Sequence, residues 1–198
     1  MLDWIINNSE YIGFGLGFIF IFLEIKESIW LWPVGILAAL FSIIVLYNAK
    51  VYADMGLQFY YFIISIYGWV LWFIGKKNGN VKKELPVIKT SKKQLFWLVL
   101  ASLVIYAIIY SVLVKYTDSP IPGWDSLTTS LSIVATWMLT QKLIEQWWIW
   151  VFVNAITVVL YIYRGINLFA LLYAIYSLMA IVGYLQWRKS MLKETVNA

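Results

Sequence analysis

Apolar residues fall into seven runs, at about 11–25, 30–48, 57–75, 95–114, 124–140, 147–163 and 167–187. Each approaches the ~20 residues that a membrane-spanning helix needs. The pattern predicts an all-α integral membrane protein with seven transmembrane helices. Three of the runs are not uniformly apolar. Trp147, Trp150, Asn154, Thr157 and Tyr161 recur at i, i+3, i+7, i+10 and i+14, and at 100° per residue they share an arc of about 80°. Gln58, Tyr61, Ser65, Gly68 and Trp72 repeat that spacing in the third run, and Asp125, Thr129, Ser132, Thr136 and Thr140 share a face of the fifth. Unsatisfied polar groups facing hydrocarbon cost several kcal/mol. These stripes are therefore expected to face one another or a wet hollow.

A second regularity has a longer period. Displaced by 115 residues, "WPVGILAALFSIIVLY" lies over "WWIWVFVNAITVVLYI" without a gap. Trp32 then meets Trp147, Ser42 meets Thr157, Tyr61 meets Tyr176, Gly68 meets Gly183 and Trp72 meets Trp187. The repeat unit holds three helices, 11–75 and 126–190, and the run near 95–114 joins them. An odd unit would invert its copy without that linker; with it, both copies begin on the same side. The expected architecture is two parallel three-helix bundles joined by a linker helix (3+1+3), an arrangement that transporters use to hold substrate between the repeats. The corresponding segments are 1–75 for the first bundle, 76–115 for a lysine-rich loop and linker helix, 116–190 for the second bundle, and 191–198 for a tail.

Charge orients this arrangement. The loop "GKKNGNVKKELPVIKTSKK" has seven lysines and one glutamate, which places it on the cytoplasmic side. Seven crossings then put the N-terminus, with Asp3 and Glu10, outside and the C-terminus, with Arg188, Lys189 and Lys193, inside. The net charge of +5 is accordingly read as a topology signal, with no nucleic-acid partner expected. The acidic N-terminal segment lacks the basic region of a cleavable signal peptide, so the first helix is expected to direct insertion. With 63% hydrophobic and 13% charged residues, the chain lies far from soluble composition. It contains no cysteine or histidine, which excludes disulfides, thiol nucleophiles, Ser-His-Asp triads and nearly all zinc and haem sites. No metal, cofactor or enzymatic activity is expected.

The strongest candidate site is the sixth run. Ser65, Ser132, Thr136 and Thr157 are explained as well by helix–helix adhesion as by a cavity. Trp147, Trp150 and Asn154 together pack poorly against another helix but suit a flat ring, with the carboxamide to hydrogen-bond it. Trp148 points about 100° away and fits an interfacial belt. The first copy carries Gly35, Ala39 and Leu46 where the second has Trp150, Asn154 and Tyr161. The slot is therefore expected once, on the second bundle, closed by residues of the first. Indole faces attract cations by ~0.5–2 kcal/mol, which favours a cationic aromatic ligand. Asp125 is read either as an attractor for such a cation or as an N-cap. Glu24 and Glu145 are read as solvated at inner helix ends.

The stretches 32–72 and 124–165 together resemble the PnuC family of bacterial vitamin transporters, over about 25–187. The most specific element is W-x-x-W-x-x-x-N, here Trp147, Trp150 and Asn154, which in that family contacts the vitamin ring. The resemblance implies a 3+1+3 bundle similar to the SWEET sugar transporters. It also implies a multi-pass protein of the bacterial inner membrane and facilitated diffusion of nicotinamide riboside, with a cytoplasmic kinase trapping the product. Homo-oligomerisation is compatible with it. Thiamine, likewise a cationic aromatic, stays open as substrate. So does a vitamin-binding membrane subunit that needs an ATP-driven partner, although the repeat and the seventh helix argue against it. The candidate substrate-binding residues are Trp147, Trp150, Asn154, Gln58, Tyr61, Thr136 and Thr157, with Gln58 and Tyr61 placed only by their position along the third helix.

Overall fold

A computed structural model describes residues 9–48, 52–78, 81–163 and 167–196. Asp3 and the Glu10 side chain lie outside what it describes. Within these residues seven helices follow in order: α1 Ser9–Ile25, α2 Leu31–Asn48, α3 Tyr52–Ile74, α4 Lys92–Tyr116, α5 Pro122–Thr140, α6 Gln146–Tyr163 and α7 Asn167–Val196. A short antiparallel ribbon, β1 Lys76–Asn78 with β2 Val81–Lys83, interrupts the lysine-rich loop between α3 and α4. Each apolar run becomes one helix. α7 outlasts its run and carries Arg188, Lys189 and Lys193 on continuous helix that reaches into the expected tail as far as Val196. Cations near a helix C-terminus are favoured by its macrodipole, so nothing in "WRKSMLKETV" stops the helix where the apolar residues stop.

Among the described residues five helices are long and apolar enough to cross a membrane: α2, α3 over Met55–Ile74, α4, α6, and α7 over Ala170–Lys193. α1 is a shorter apolar helix over Ile12–Ile25. α5 falls below that hydropathy because of its serines and threonines. It is also the most enclosed helix, with Ser126, Ser130, Ser132, Val134, Ala135, Thr136, Met138, Leu139 and Thr140 all buried. A helix shielded by its neighbours need not be apolar all round.

The chain forms two compact units, 1–85 and 86–198. In the first, α2 packs against both α1 and α3. In the second, α5 packs against α4 and α6, and α6 against α7. α4 opens with a capping box: the Gln94 N–H donates to Ser91 Oγ at 3.2 Å and the Ser91 N–H to Gln94 Oε1 at 3.0 Å. Its Leu98 and Ile105 pack against Val134, Met138 and Leu143, while α4 itself has no buried residue. Its remaining surface is what a lipid-facing helix presents.

The helical corners show the repeat in backbone detail. After α1, the Ser28 N–H donates to the Leu23 carbonyl at 2.9 Å and the Glu27 N–H to Glu24 at 3.0 Å. After α5, the Leu143 N–H donates to Met138 at 3.0 Å and Lys142 to Leu139 at 3.0 Å. Both are Schellman terminations. Their left-handed residues, Glu27 (φ 54°) and Lys142 (φ 50°), are 115 positions apart.

Candidate functional site

α6 turns the expected face inward. Trp147 and Asn154 are buried, Trp150, Thr157 and Tyr161 are half-buried, and Trp148, Phe152, Val159 and Ile162 are exposed on the opposite side. The exposed Trp148 rests on Tyr184 with ring centroids 4.9 Å apart, as an interfacial residue would.

The residues along the inward face have different surroundings. Trp147 is 1% exposed and meets Trp187 edge to face at 5.5 Å and 89°. Its six-membered ring lies over Gly183, where an added Cβ would fall within 2.6 Å of three ring carbons. Trp150 lies one turn further along, and its indole Nε1 is buried without a hydrogen-bond partner. Asn154, 6% exposed, is one turn beyond that. Toward the end of α6, Tyr161 leans on Tyr173 at 5.3 Å, and Tyr173 meets Tyr176 at 5.8 Å. These two α7 tyrosines were not among the expected site residues, although the alignment of Tyr176 with Tyr61 pointed to one of them.

The hydroxyl stripes are satisfied differently from what helix–helix adhesion requires. Thr136 Oγ1 donates to the Ser132 carbonyl at 2.8 Å, Ser132 Oγ to Thr128 at 2.8 Å, and Thr157 Oγ1 to Val153 at 2.8 Å. Each bond returns to the residue's own helix four positions back. The hydroxyl proton is thereby used, while the oxygen lone pairs remain able to accept from a ligand. Ser177 Oγ of α7 does reach across to the Val151 carbonyl of α6, at 3.4 Å.

Three charged positions differ from their sequence readings. Asp125 is not an N-cap: α5 begins at Pro122, which needs no N–H partner at a first helical position. Asp125 lies in the first turn and accepts from Ser119 Oγ at 2.7 Å. Glu145 is engaged rather than simply solvated, because its Oε2 accepts from the Thr90 N–H at 2.9 Å and from Thr90 Oγ1 at 2.6 Å. That latch adjoins a backbone bridge in which the Ile88 N–H donates to Lys142 and the Ile144 N–H to Ile88, which stitches the loop before α4 to the α5–α6 corner. Glu24 is buried, at 4% exposure. Gln58 and Tyr61 are half-buried on α3 in the first unit, with Tyr61 tilted against Tyr60 at 5.6 Å.

Comparison with known proteins supplies the context for this face. The chain is 27% identical to the nicotinamide riboside transporter PnuC of Escherichia coli (strain K12), across 96% of this chain and 87% of that one. It is 25% identical to the riboflavin/roseoflavin transporter RibM of Streptomyces davaonensis, across 90% and 84%. Its fold matches a crystal structure of the vitamin B3 transporter PnuC with a TM-score of 0.72 at 23% identity, covering 96% of this chain and 83% of that one. The family description of the nicotinamide mononucleotide transporters matches residues 7–189. The protein is a multi-pass membrane transporter and belongs to the nicotinamide mononucleotide transporter family.

Proposed function

We propose that this transporter carries nicotinamide riboside into bacterial cells by facilitated diffusion, and that Trp150 and Asn154 recognise the vitamin. The name of the E. coli relative and the family description support the substrate class. The observation that carries the reading is the pairing, on the inward face of α6, of Trp150, whose Nε1 is buried without a partner, with the buried Asn154 one turn away, a pair that α2 replaces by Gly35 and Ala39. Leaving such a donor unmade costs about 1–3 kcal/mol, and a ligand oxygen beside it would recover that cost. The indole face would hold a cationic pyridinium, and Asn154 would bond the substrate's amide or ribose. Thr136 and Thr157 offer acceptor oxygens on the same unit, and Asp125 adds negative charge near the start of α5.

The proposed setting is a 3+1+3 arrangement with α4 as linker, the N-terminus outside and the C-terminus in the cytoplasm. The sequence has no P-loop to drive pumping, so net uptake would rest on a cytoplasmic kinase that phosphorylates the arriving vitamin. Uptake of labelled nicotinamide riboside into proteoliposomes tests the proposal. Saturable flux without ATP is expected; absence of saturable flux would overturn it. The similarity to RibM favours one rival, a riboflavin substrate, and competition by riboflavin and thiamine in the same assay separates the three.

A further inference from the structure

The W-x-x-W-x-x-x-N run invites a uniform reading in which both tryptophans touch the ligand. The geometry divides them. Trp147 spends its ring on its own unit: Trp187 takes an edge, and Gly183 takes the six-membered face so closely that any Cβ there would collide. The first unit contains the same assembly. Trp32, fully buried, meets Trp72 edge to face at 5.3 Å and 89°, and a Cβ on Gly68 would fall within 2.6 Å of the same three ring carbons. Both indole nitrogens, on Trp32 and Trp147, are buried without a partner. Yet α2 carries Gly35 and Ala39 where α6 carries Trp150 and Asn154. An assembly that recurs where no such recognition pair exists is explained by what the two units share, which is the joint of α2 with α3 in one and of α6 with α7 in the other.

We propose that Trp147 is a positioning residue and not a ligand contact. Its indole, keyed into Gly183 and Trp187, fixes the rotation of α6 on α7 and so aims Trp150 and Asn154. Trp32, Gly68 and Trp72 perform the same mechanical task for α2 and α3. The inference rests on the site reading above for what is aimed, but the joint itself can be measured without any ligand.

The test is a rescue. In the full-length purified protein, Gly183→Ala should lower the thermal midpoint by about 5 °C, since the added Cβ overpacks the joint. Trp147→Phe removes the ring atoms that oppose the new Cβ, so the double variant Trp147→Phe/Gly183→Ala should recover most of that loss. Gly68→Ala and Trp32→Phe/Gly68→Ala should repeat the pattern in the first unit. Nicotinamide riboside binding by calorimetry supplies the second readout. Trp147→Phe should stay within about threefold of the native Kd, whereas Trp150→Phe should weaken it about tenfold, the factor that corresponds to 1.4 kcal/mol. Gly183→Ala should weaken binding and the double variant restore it. The proposal is overturned if Trp147→Phe loses affinity as Trp150→Phe does, or if the double variant regains its thermal midpoint without regaining affinity. Should Gly183→Ala not accumulate, Trp147→Phe alone still decides between the two roles. If the native protein binds no nicotinamide riboside, the substrate assignment fails, while the two thermal rescues still confirm or overturn the joint.

Discussion

α2 and α6 occupy equivalent places in their units. Each follows a Schellman corner with a left-handed charged residue, and each sets a buried tryptophan against a glycine and a second tryptophan. Beyond that turn they diverge. In the first unit, a Cβ on Gly35 would be 3.0 Å from both the Phe20 ring and Ser65 Oγ, so the space beside α2 is already occupied. The positions 115 residues later are Ala135, Trp150 and Ala180, with both alanines fully buried. Bulk has moved from the first helix of the unit to the second, and a glycine-lined contact has become an indole with an unused donor. On the proposed reading, the shared features are scaffold and the unshared ones form the recognition site.

The largest expected effect breaks the comparison directly. Replacing Trp150 with Ala should weaken nicotinamide riboside binding by roughly 30- to 100-fold, since aromatic anchors at recognition sites cost about 2 kcal/mol or more on truncation. Trp148→Ala, on the exposed side of the same helix, should leave Kd unchanged. Calorimetric titration of both variants checks the pair, and a loss confined to Trp148→Ala would assign the wrong face to recognition.

The next prediction concerns the bare copy. Gly35→Ala should destabilise the protein by about 1–2 kcal/mol, because the Phe20 ring and Ser65 must yield a few tenths of an ångström. Ser65→Ala in the same chain should recover part of that loss, because it removes the hydroxyl oxygen that the new Cβ meets and installs the residue that the second unit carries at the matching position, Ala180. Thermal unfolding in detergent reads both variants, and substrate affinity should change little. If Gly35→Ala abolished binding with an unaltered midpoint, the reading of α2 as scaffold would fall.

Much of this contrast is legible in the letters, and the remainder is lost for definable reasons. Apolar length gives seven helices, and 100° spacing gives the inward face of α6, because both depend only on which residues are lipid-compatible. The match of Gly68 with Gly183 and Trp72 with Trp187 was visible as repetition, but repetition does not say which side chains touch, so the tryptophan–glycine joints emerge only in three dimensions. The corners were hidden because Glu27 and Lys142 occupy the left-handed position that Gly usually marks. The start of α5 was obscured because Asp125 resembles a cap while Pro122 does the starting. Spacing placed Thr136 and Thr157 on inward faces but could not reveal that their hydroxyl rotamers return the proton to their own helices.

The corner of the second unit has an anchor of its own in Glu145 and Thr90. Glu145→Gln should cost about 1–2 kcal/mol, because a charged acceptor holding two donors is exchanged for a neutral one. The loss should be seen as faster hydrogen exchange in residues 86–91 than elsewhere in the second unit. Thr90→Val, which removes the hydroxyl but keeps the N–H bond, should give about half that effect. Unchanged protection in both variants would mean that the backbone bridge of Ile88 to the corner suffices to hold the loop.

The smallest expected effect separates adhesion from self-satisfaction along α5. If Thr136 bonded a neighbouring helix, Thr136→Val would leave that helix with an unmet polar group. Because the hydroxyl instead donates to Ser132 on its own helix at 2.8 Å, its removal frees a carbonyl that can retain its backbone bond, and the two side chains are nearly the same size. The thermal midpoint should move by no more than about 2 °C, corresponding to roughly 0.5 kcal/mol for a chain of this length. Affinity is the more informative measurement. A Thr136 oxygen that accepts from the substrate predicts about a fivefold weaker Kd with an unmoved midpoint, on the order of one ordinary hydrogen bond. A fall in midpoint with unchanged Kd would return Thr136 to helix packing and leave recognition to α6.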